Sequence, residues 1–218
     1  MMLKSFGCSF IWGSDLPDSG RIGGCAPYSR MAWPAVLSRQ LKIRYDCHAF
    51  PGAGNLRILE QVLNQAESAA QDFFVISWTW IDRFDYHEQD CWQTLLPVDE
   101  STTAEFYYRK LQSEYVDKLS TLIHIRTAID VLNQKRIPFL MTYMDPLMLD
   151  RTWHVSDAVV SLQQYVQPYL HLFDNRTFLD WSRTHNYPIS VGWHPLDTAH
   201  AAAADIILPV AKKILNQS

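Results

Sequence analysis

A serine near the start of the chain has the surroundings of a candidate nucleophile. Ser9 follows the apolar run at residues 2–6 and lies between Gly7 and Gly13. Glycines beside a serine allow a sharp turn that presents its hydroxyl and its own N–H outward, and a nucleophilic serine needs that exposure together with a neighbouring base. An ordinary turn or helix-capping serine is the alternative, and the segment taken alone favours that alternative.

A glycine-rich segment at residues 51–55 is the second candidate. Gly52 and Gly54 allow the backbone to approach a ligand closely, and the N–H groups that open the next helix favour an oxyanion or a phosphate. A dinucleotide-binding fingerprint needs a third glycine, but that position is Arg57, and the fingerprint is expected after the first strand. The segment therefore indicates an anion site better than a Rossmann-type nucleotide site.

A histidine near the C-terminus is the candidate base. His194 is followed by Pro195, which stiffens the loop, and a histidine held in this way can act as a general base. A loop histidine that only caps or packs is the alternative. A metal site formed by His194, Asp197 and His200 is a third interpretation, but their spacing matches no established metal motif, and we expect no metal.

Apolar periodicity predicts the elements that bring these segments together. Strands are predicted over residues 2–6, 43–50, 72–79, 137–143 and 177–181. Helices are predicted over residues 30–41 with Ser29 as cap, after the cap Asn55, and over residues 104–132, 155–170 and 199–215. Alternating strands and helices predict an α/β sandwich with a parallel sheet, whose ligand site lies at the carboxyl ends of the strands.

The segment at residues 82–103 breaks this alternation. It is polar and aromatic and has no clear period, so it is predicted to be an irregular surface excursion. The sequence leaves open whether this excursion is a lid, a partner surface or an insertion.

Composition limits the classes of protein that this chain can belong to. Its 218 residues, 48% of them apolar, predict one globular domain over residues 1–218. The net charge of −4 argues against a nucleic-acid partner. No apolar run approaches the roughly 20 residues of a membrane span, and the start lacks a signal-peptide pattern, so we expect a soluble, cytoplasmic protein without a membrane partner. The irregular spacing of the four cysteines predicts reduced thiols at Cys8, Cys25, Cys47 and Cys91.

Taken together and in this order, the segments resemble the blocks of the SGNH (GDSL-like) hydrolase family. The matching blocks are Gly7-Cys8-Ser9-Phe10 with Gly13, Gly52-Ala53-Gly54-Asn55, Ser77-Trp78-Thr79-Trp80-Ile81-Asp82-Arg83 and Gly192-Trp193-His194-Pro195. The first block is similar to a variant branch in which the Asp before the serine is Cys. The resemblance spans residue 5 to about residue 205. It implies a flavodoxin-like three-layer α/β/α sandwich with a parallel sheet of about five strands.

The same resemblance implies an activity and residue roles. The activity is ester hydrolysis through an acyl-enzyme, without cofactor or metal. Ser9 would be the nucleophile and His194 the base, and the backbone N–H groups of Ser9 and Gly54 would form part of the oxyanion hole.

Two departures from the family pattern bear on catalysis. Family members usually carry an Asp three residues before the histidine, and here that residue is Val191. Many also carry an Asn in the third block, where only Thr79 can donate a side-chain hydrogen bond to the oxyanion. Losing one oxyanion donor typically costs about 10²–10³ in rate. Losing the orienting carboxylate can cost about as much again or more.

The missing Asp raises the question of what orients His194. We expect Nδ1 to bind a backbone carbonyl or water, with Asp180 as the second choice. Asp197 is the third, because its position suits a helix cap. On this interpretation, Val191→Asp should raise turnover at least about tenfold, which is roughly 1.4 kcal/mol of barrier.

The leading hypothesis is a serine esterase or deacylase that acts on a small-molecule or carbohydrate ester, for instance an O-acetylated sugar. Trp12, Trp78 and Trp193 are predicted to bind substrate together with Asn55, because flat rings suit sugar faces. Core packing is at least as strong an interpretation for Trp78 and Trp80.

The second hypothesis is a catalytically weakened hydrolase fold that serves as a binding or structural module in a larger assembly. Val191 and the missing Asn favour it. Labelling of Ser9 by a fluorophosphonate would discriminate the two hypotheses, because labelling requires an activated serine.

Overall fold

The structure, a computed structural model, describes residues 1–19, 28–67 and 71–217. The strands are β1 (Met2–Phe6), β2 (Arg44–Cys47), β3 (Phe73–Trp78), β4 (Phe84–Glu88), β5 (Cys91–Leu95), β6 (Phe139–Tyr143) and β7 (Leu170–His171). The helices are α1 (Ser9–Trp12), α2 (Trp33–Gln40), α3 (Asn55–Ala66), α4 (Thr102–Lys110), α5 (Glu114–Lys135), α6 (Asp157–Val166), α7 (Phe178–Thr184) and α8 (Asp197–Leu215).

Five strands form one parallel sheet in the order β2-β1-β3-β6-β7. Numbered within the sheet, this order is 2-1-3-4-5, the flavodoxin-like order, in which the strand order reverses beside β1. Every residue of the central strand β3 is buried, as its continuous apolar run predicts for a strand covered on both faces.

Two apolar cores, one on each face of the sheet, produce three layers. Side chains of β3 alternate between them, with Phe74 and Ile76 in one core and Phe73 and Val75 in the other. The first core also contains residues of α3, α5 and α6, and the second contains residues of α2, α7 and α8. The predicted three-layer sandwich with about five parallel strands is confirmed.

The predicted fifth strand at residues 177–181 is wrong. These residues begin helix α7, and the hydroxyl of Thr177 accepts a hydrogen bond from the N–H of Asp180, as an N-cap does. The fifth strand is instead the two-residue edge β7. A threonine followed by a short run in which about half of the residues are apolar is compatible with a strand and with a short helix. The pattern therefore does not separate the two.

The single helix predicted over residues 104–132 is two helices, α4 and α5. Ser113 caps α5 by accepting a hydrogen bond from the N–H of Val116, while Leu111 is exposed at the end of α4. The apolar spacing continues across this break, so periodicity alone does not reveal it.

Other predicted elements have shorter bounds in the structure. Helix α2 begins three residues late, because the hydroxyl of Ser29 binds Asp18 and Pro34 occupies the first turn. Asn55 is the first residue of α3, whose N-cap is Gly54. The helix predicted over 155–170 ends as α6 at Val166.

The excursion at residues 82–103 contains regular structure. Strands β4 and β5 pair as an antiparallel hairpin, and the segment ends in the first turn of α4. Cys8, Cys47 and Cys91 are free thiols, while Cys25 lies outside the described residues. Among the described helices none is both long and apolar enough to cross a bilayer.

Candidate active site

Ser9 lies where the sheet predicts a ligand site, at the carboxyl end of β1 and in the first turn of α1. Its glycine neighbours permit the close packing of this turn. A Cβ on Gly7 would lie 2.6 Å from Ile11, and one on Gly13 would lie 2.5 Å from Ser29. Gly13 also has a φ of +81°, which a glycine adopts at little cost, and it ends α1.

The structure brings His194 to Ser9, with 2.9 Å between Nε2 and the serine Oγ. The histidine stands on a tight loop in which the N–H of Ser190 donates to the carbonyl of His194 and Trp193 donates to the carbonyl of Ser190. Its ring packs edge-on against Phe10, with ring centroids 5.1 Å apart. These contacts fix the direction of the imidazole.

The other ring nitrogen of His194 binds a carboxylate. Asp15 Oδ2 lies 2.7 Å from Nδ1 and also accepts a hydrogen bond of 2.6 Å from the hydroxyl of Ser190. The hydrogen bond from Ser190, and after it the one from His194, lowers the pKa of Asp15. The expectation that Nδ1 binds a backbone carbonyl or water is therefore wrong, because an aspartate fills that position.

The three side chains form a Ser9–His194–Asp15 relay. An ionised carboxylate only accepts hydrogen bonds, so the proton of the neutral imidazole lies on Nδ1 and the lone pair of Nε2 faces the serine hydroxyl. This tautomer is the one that a general base needs, and the carboxylate stabilises the imidazolium that forms when the base takes a proton.

Sequence reasoning missed Asp15 because it looked for the carboxylate near the histidine. Val191 is fully exposed at 101%, so a side chain there points into solvent. Asp180 binds the hydroxyl of Thr177 at 2.8 Å, and Asp197 accepts from the N–H of Thr198. The available signal was an Asp just beyond the short helix that carries the nucleophile.

The assignment of the Gly54 N–H to the oxyanion hole is also wrong. That N–H donates to Asp85 Oδ1 at 2.9 Å, and the N–H of Arg57 donates to Oδ2 at 2.9 Å. Asp85 on β4 therefore caps helix α3 from outside the helix. Its position in the excursion, which has no clear period, gives no sign of this role in the sequence. Because Gly54 already donates to Asp85, it is not free to donate to a substrate oxygen.

Asn55 joins neighbouring segments of the site through hydrogen bonds. The prediction that it binds substrate is therefore wrong. It is 4% exposed, and its amide donates to the hydroxyl of Thr121 and accepts from the N–H of Thr79 at 2.9 Å. The hydroxyl of Thr79 itself is buried and has no partner among the described residues. Thr79 is 1% exposed and does not line the cleft over Ser9, so the predicted role of its hydroxyl in the oxyanion hole is not supported.

Of the three predicted substrate-binding tryptophans, one lines the cleft beside Ser9. Trp193 is 64% exposed and borders it. Trp78 is fully buried and donates to the sulfur of Met141, so it belongs to the core. Trp12 stacks on Phe50 at 6.3 Å, away from the cleft lining.

The cleft has a volume of about 510 Å³ and lies over Ser9 and His194. Residues 96–98 of the excursion form one wall, and Leu179 of α7 and the His194 loop form others. This size is typical of small-molecule sites. The excursion therefore contributes to the site.

His200 supports the histidine loop from below. It is 1% exposed, and its Nδ1 accepts a hydrogen bond of 3.0 Å from the N–H of Trp33, while the ring also binds the backbone of Pro195. Burial lowers the pKa of His200 to about 3, so the ring is neutral. Within the described residues no three metal-binding side chains converge.

Comparison with known proteins establishes the fold. No family model and no curated protein matches the sequence. The structure resembles the psychrotrophic esterase EstA of Pseudoalteromonas sp., with a TM-score of 0.58 and 10% identity over 99% of this chain and 98% of that one. It also resembles a lipolytic protein of the G-D-S-L family from Veillonella parvula, with a TM-score of 0.53 and 14% identity over 96% of this chain and 97% of that one.

A third similar structure is a carbohydrate esterase family 2 enzyme with a carbohydrate-binding domain from Corynascus thermopiles. Its TM-score is 0.56 and its identity 14%, over 99% of this chain and 66% of that longer one. At these identities the likeness concerns the fold, and the chain has the fold of an SGNH hydrolase.

Proposed function

We propose that the protein is a serine esterase that cleaves a small carboxylic ester through an acyl-enzyme on Ser9. The observation that carries the proposal is the relay of 2.9 Å from Ser9 to His194 and 2.7 Å from His194 to Asp15, open to a cleft. Nucleophile, base and orienting carboxylate within hydrogen-bond reach are the signature of nucleophilic acyl transfer.

The geometry supports two half-reactions. His194 Nε2 takes the hydroxyl proton as Ser9 Oγ attacks the ester carbonyl, and the imidazolium then gives that proton to the leaving alcohol. A water enters and loses a proton to the same nitrogen as it attacks the acyl-serine. His194 returns the proton to Oγ, so the serine is restored and the carboxylic acid is released.

The negative oxygen of each tetrahedral intermediate needs hydrogen-bond donors. We assign this role to the backbone N–H of Ser9, since the first N–H groups of a helix have no partner within it. The hydroxyl of Thr79, the second donor expected from the sequence, is not assigned this role, because Thr79 is 1% exposed and is not among the residues that line the cleft. Gly54 is left out of the assignment.

The substrate class is a small ester, with O-acetylated carbohydrate as the specific proposal. The structure from Corynascus thermopiles is a carbohydrate esterase, and this chain presents the exposed ring of Trp193 beside its serine. Flat aromatic faces suit the apolar faces of sugars. No cofactor enters the proposed reaction.

One of the two observations that favoured a weakened, non-catalytic module no longer supports it. It rested on Val191 and on the missing Asn of the third block, and Asp15 supplies the carboxylate that Val191 does not. The missing Asn remains and predicts a slow enzyme.

Labelling and turnover together test the proposal. The protein is incubated with a fluorophosphonate probe and, separately, with p-nitrophenyl acetate, with Ser9→Ala as the matched control. Labelling and hydrolysis that both depend on Ser9 support the esterase. Complete inertness of the folded protein to both reagents at high concentration contradicts it and favours the module.

A further inference from the structure

Two arginines lie in the cleft beside the candidate nucleophile, and the proposed chemistry uses neither. Arg83 lies on the chain between β3 and β4, and Arg183 lies on α7. Both line the same cavity as Ser9 and His194. Hydrolysis of a neutral acetyl ester needs no guanidinium in the cleft, so the pair calls for another explanation.

Each guanidinium lies over the ring of a tryptophan that also lines the cleft. The Arg83 carbon Cζ lies 4.8 Å from the ring centre of Trp80, and that of Arg183 lies 4.9 Å from the ring centre of Trp193. Stacking occupies the face of a guanidinium and leaves its edge, where the N–H donors lie, free to bind an anion. Each arginine is therefore held beside the cleft by a cation–π contact.

The hydrogen bonds of these groups leave most of their donors unused. Arg83 donates from Nη1 to the carbonyl of Ala53 at 3.0 Å, and no carboxylate of the described residues lies within 4.0 Å of it. Arg183 has only a marginal ion pair of 4.0 Å with Asp180, and its side chain is 45% exposed. A guanidinium has five N–H donors, so each edge retains donors for a ligand.

One acidic group of the cleft opposes them. Asp82 lines the same cavity, and burial, followed by the charge of Asp145, raises the pKa of its carboxyl. Even with Asp82 ionised, two positive charges face one negative charge across the cleft lining, with the relay of His194 and Asp15 beside them. Among the residues that line the cleft, two guanidinium groups therefore face one carboxylate. Two further carboxylates lie outside this lining: Asp15 binds Nδ1 of His194, and Asp180 lies 4.0 Å from Arg183.

We propose that the ester cleaved by this protein carries a carboxylate, which the edges of Arg83 and Arg183 bind while Trp80 and Trp193 hold the neutral part. This inference rests on the proposed esterase function and narrows its substrate to an acidic ester, such as an acylated uronic acid. Planar carboxylates match the fork of a guanidinium with two parallel hydrogen bonds, which a neutral hydroxyl cannot form.

Paired substrates test the inference. On the alcohol side, an O-acetylated methyl glucuronide is compared with the O-acetylated methyl glucoside. On the acyl side, p-nitrophenyl hemisuccinate is compared with p-nitrophenyl butyrate. We expect kcat/KM for the acidic member of one pair to exceed that of its neutral partner by at least about tenfold, the typical effect of one charge-assisted hydrogen bond. The pair that shows the preference locates the carboxylate.

Variants then assign the preference to the two arginines. Arg83→Met and Arg183→Met should each lower the ratio of acidic to neutral kcat/KM by about tenfold, and Arg83→Lys should lower it less because it keeps the charge and loses the fork. Arg126→Met is the matched control, since Arg126 stacks on Tyr165 at 4.9 Å outside the cleft lining, and it should leave the ratio unchanged. Added salt should lower the wild-type ratio, because the groups are partly exposed.

The outcomes separate the two proposals. Equal hydrolysis of both members in both pairs, or a preference that survives both arginine substitutions, overturns the carboxylate inference and leaves the esterase standing. If no ester is cleaved and no probe labels Ser9, the esterase fails. Binding of methyl glucuronide and methyl glucoside to Ser9→Ala by calorimetry then decides the inference: tighter binding of the glucuronide supports it, and equal or absent binding overturns it.

Discussion

Asp15 and His194 are 179 positions apart in the chain, yet a 2.7 Å hydrogen bond joins Oδ2 of the first to Nδ1 of the second. Asp15 makes this contact from a left-handed backbone with a φ of +68°. That conformation is uncommon for a residue other than glycine, although Asp tolerates it better than most, and such strain is often found at functional sites. The conformation places the carboxylate between Ser190 and the imidazole.

The first prediction concerns this carboxylate. Asp15→Asn should lower turnover of p-nitrophenyl acetate by about 10²–10⁴, because an amide can donate to Nδ1 and stabilise the wrong tautomer. Val191→Asp should give no gain, because its side chain faces solvent and the position beside Nδ1 is filled. Steady-state kinetics on the folded variants measure both. A rise in turnover for Val191→Asp would return the orienting role to that position.

The second prediction treats Ser9 and His194 as one unit. Ser9→Ala and His194→Ala should each lower kcat by about 10⁴ or more, and the double variant should be little worse than either single variant. Thermal unfolding should change little, since neither side chain fills the core. Additive losses in the double variant would show that the two side chains act separately.

The third prediction follows from the cap on helix α3. A Cβ on Gly54 would lie 2.5 Å from the carboxylate of Asp85, whereas one on Gly52 meets nothing within 4 Å and faces only the strain of a φ of +81°. Gly54→Ala should therefore lower the free energy of unfolding by about 1–3 kcal/mol, through a displaced and unsatisfied cap. Gly52→Ala should cost about 1–2 kcal/mol from its left-handed backbone.

Urea unfolding of three variants checks that cause. If the clash with Asp85 is what matters, the double variant Gly54→Ala/Asp85→Ala should lose less stability than the sum of the two single variants, because the alanine at position 85 leaves room for the new Cβ. Strict additivity would place the effect of Gly54→Ala elsewhere.

The fourth prediction concerns acid stability. The folded pKa of His200 is about 3, below its ordinary value of 6.5, so between these values the unfolded chain binds more protons than the folded one. The contribution of His200 is thus fully present above pH 6.5 and is lost as the pH falls towards 3, with a slope of at most about 1.4 kcal/mol per pH unit. His200→Gln should flatten this slope, since an amide does not titrate there.

Urea unfolding at several pH values between 4 and 7, chosen to span roughly the window that separates the two pKa values, measures the slope. Other titrating groups are the same in both proteins, so the difference isolates His200. An unchanged slope in His200→Gln would mean that the ring is not buried as a neutral base.

The sequence predicted those parts of the fold that rest on strong patterns. The apolar run of β3 and the alanine-rich α8 were placed within two residues of their observed bounds. Residues 177–181 were misassigned, because a capping Thr177 followed by a short amphipathic turn carries no periodicity long enough to separate helix from strand.

The candidate site, like the fold, was only partly predictable from the sequence. The order of blocks along an α/β chain was enough to bring Ser9 and His194 together, because the carboxyl ends of β1 and its neighbours share one edge of the sheet. Asp15 and Asp85 were missed, because their contacts depend on how a turn and a hairpin fold back over that edge. Neither contact follows from the apolar periodicity that predicts the strands and helices.

The origin of the carboxylate decides how such a site can be recognised in other chains. Ser9 and Asp15 lie on one segment, six positions apart, so one stretch of chain provides both the hydroxyl and the carboxylate, and only the histidine comes from the far end of the chain. A pattern search that demands Asp three residues before the histidine would reject this chain, although hydrogen bonds join Ser9, His194 and Asp15. A search for Ser followed by Asp at the sixth position, with a late Trp-His-Pro, would retrieve it.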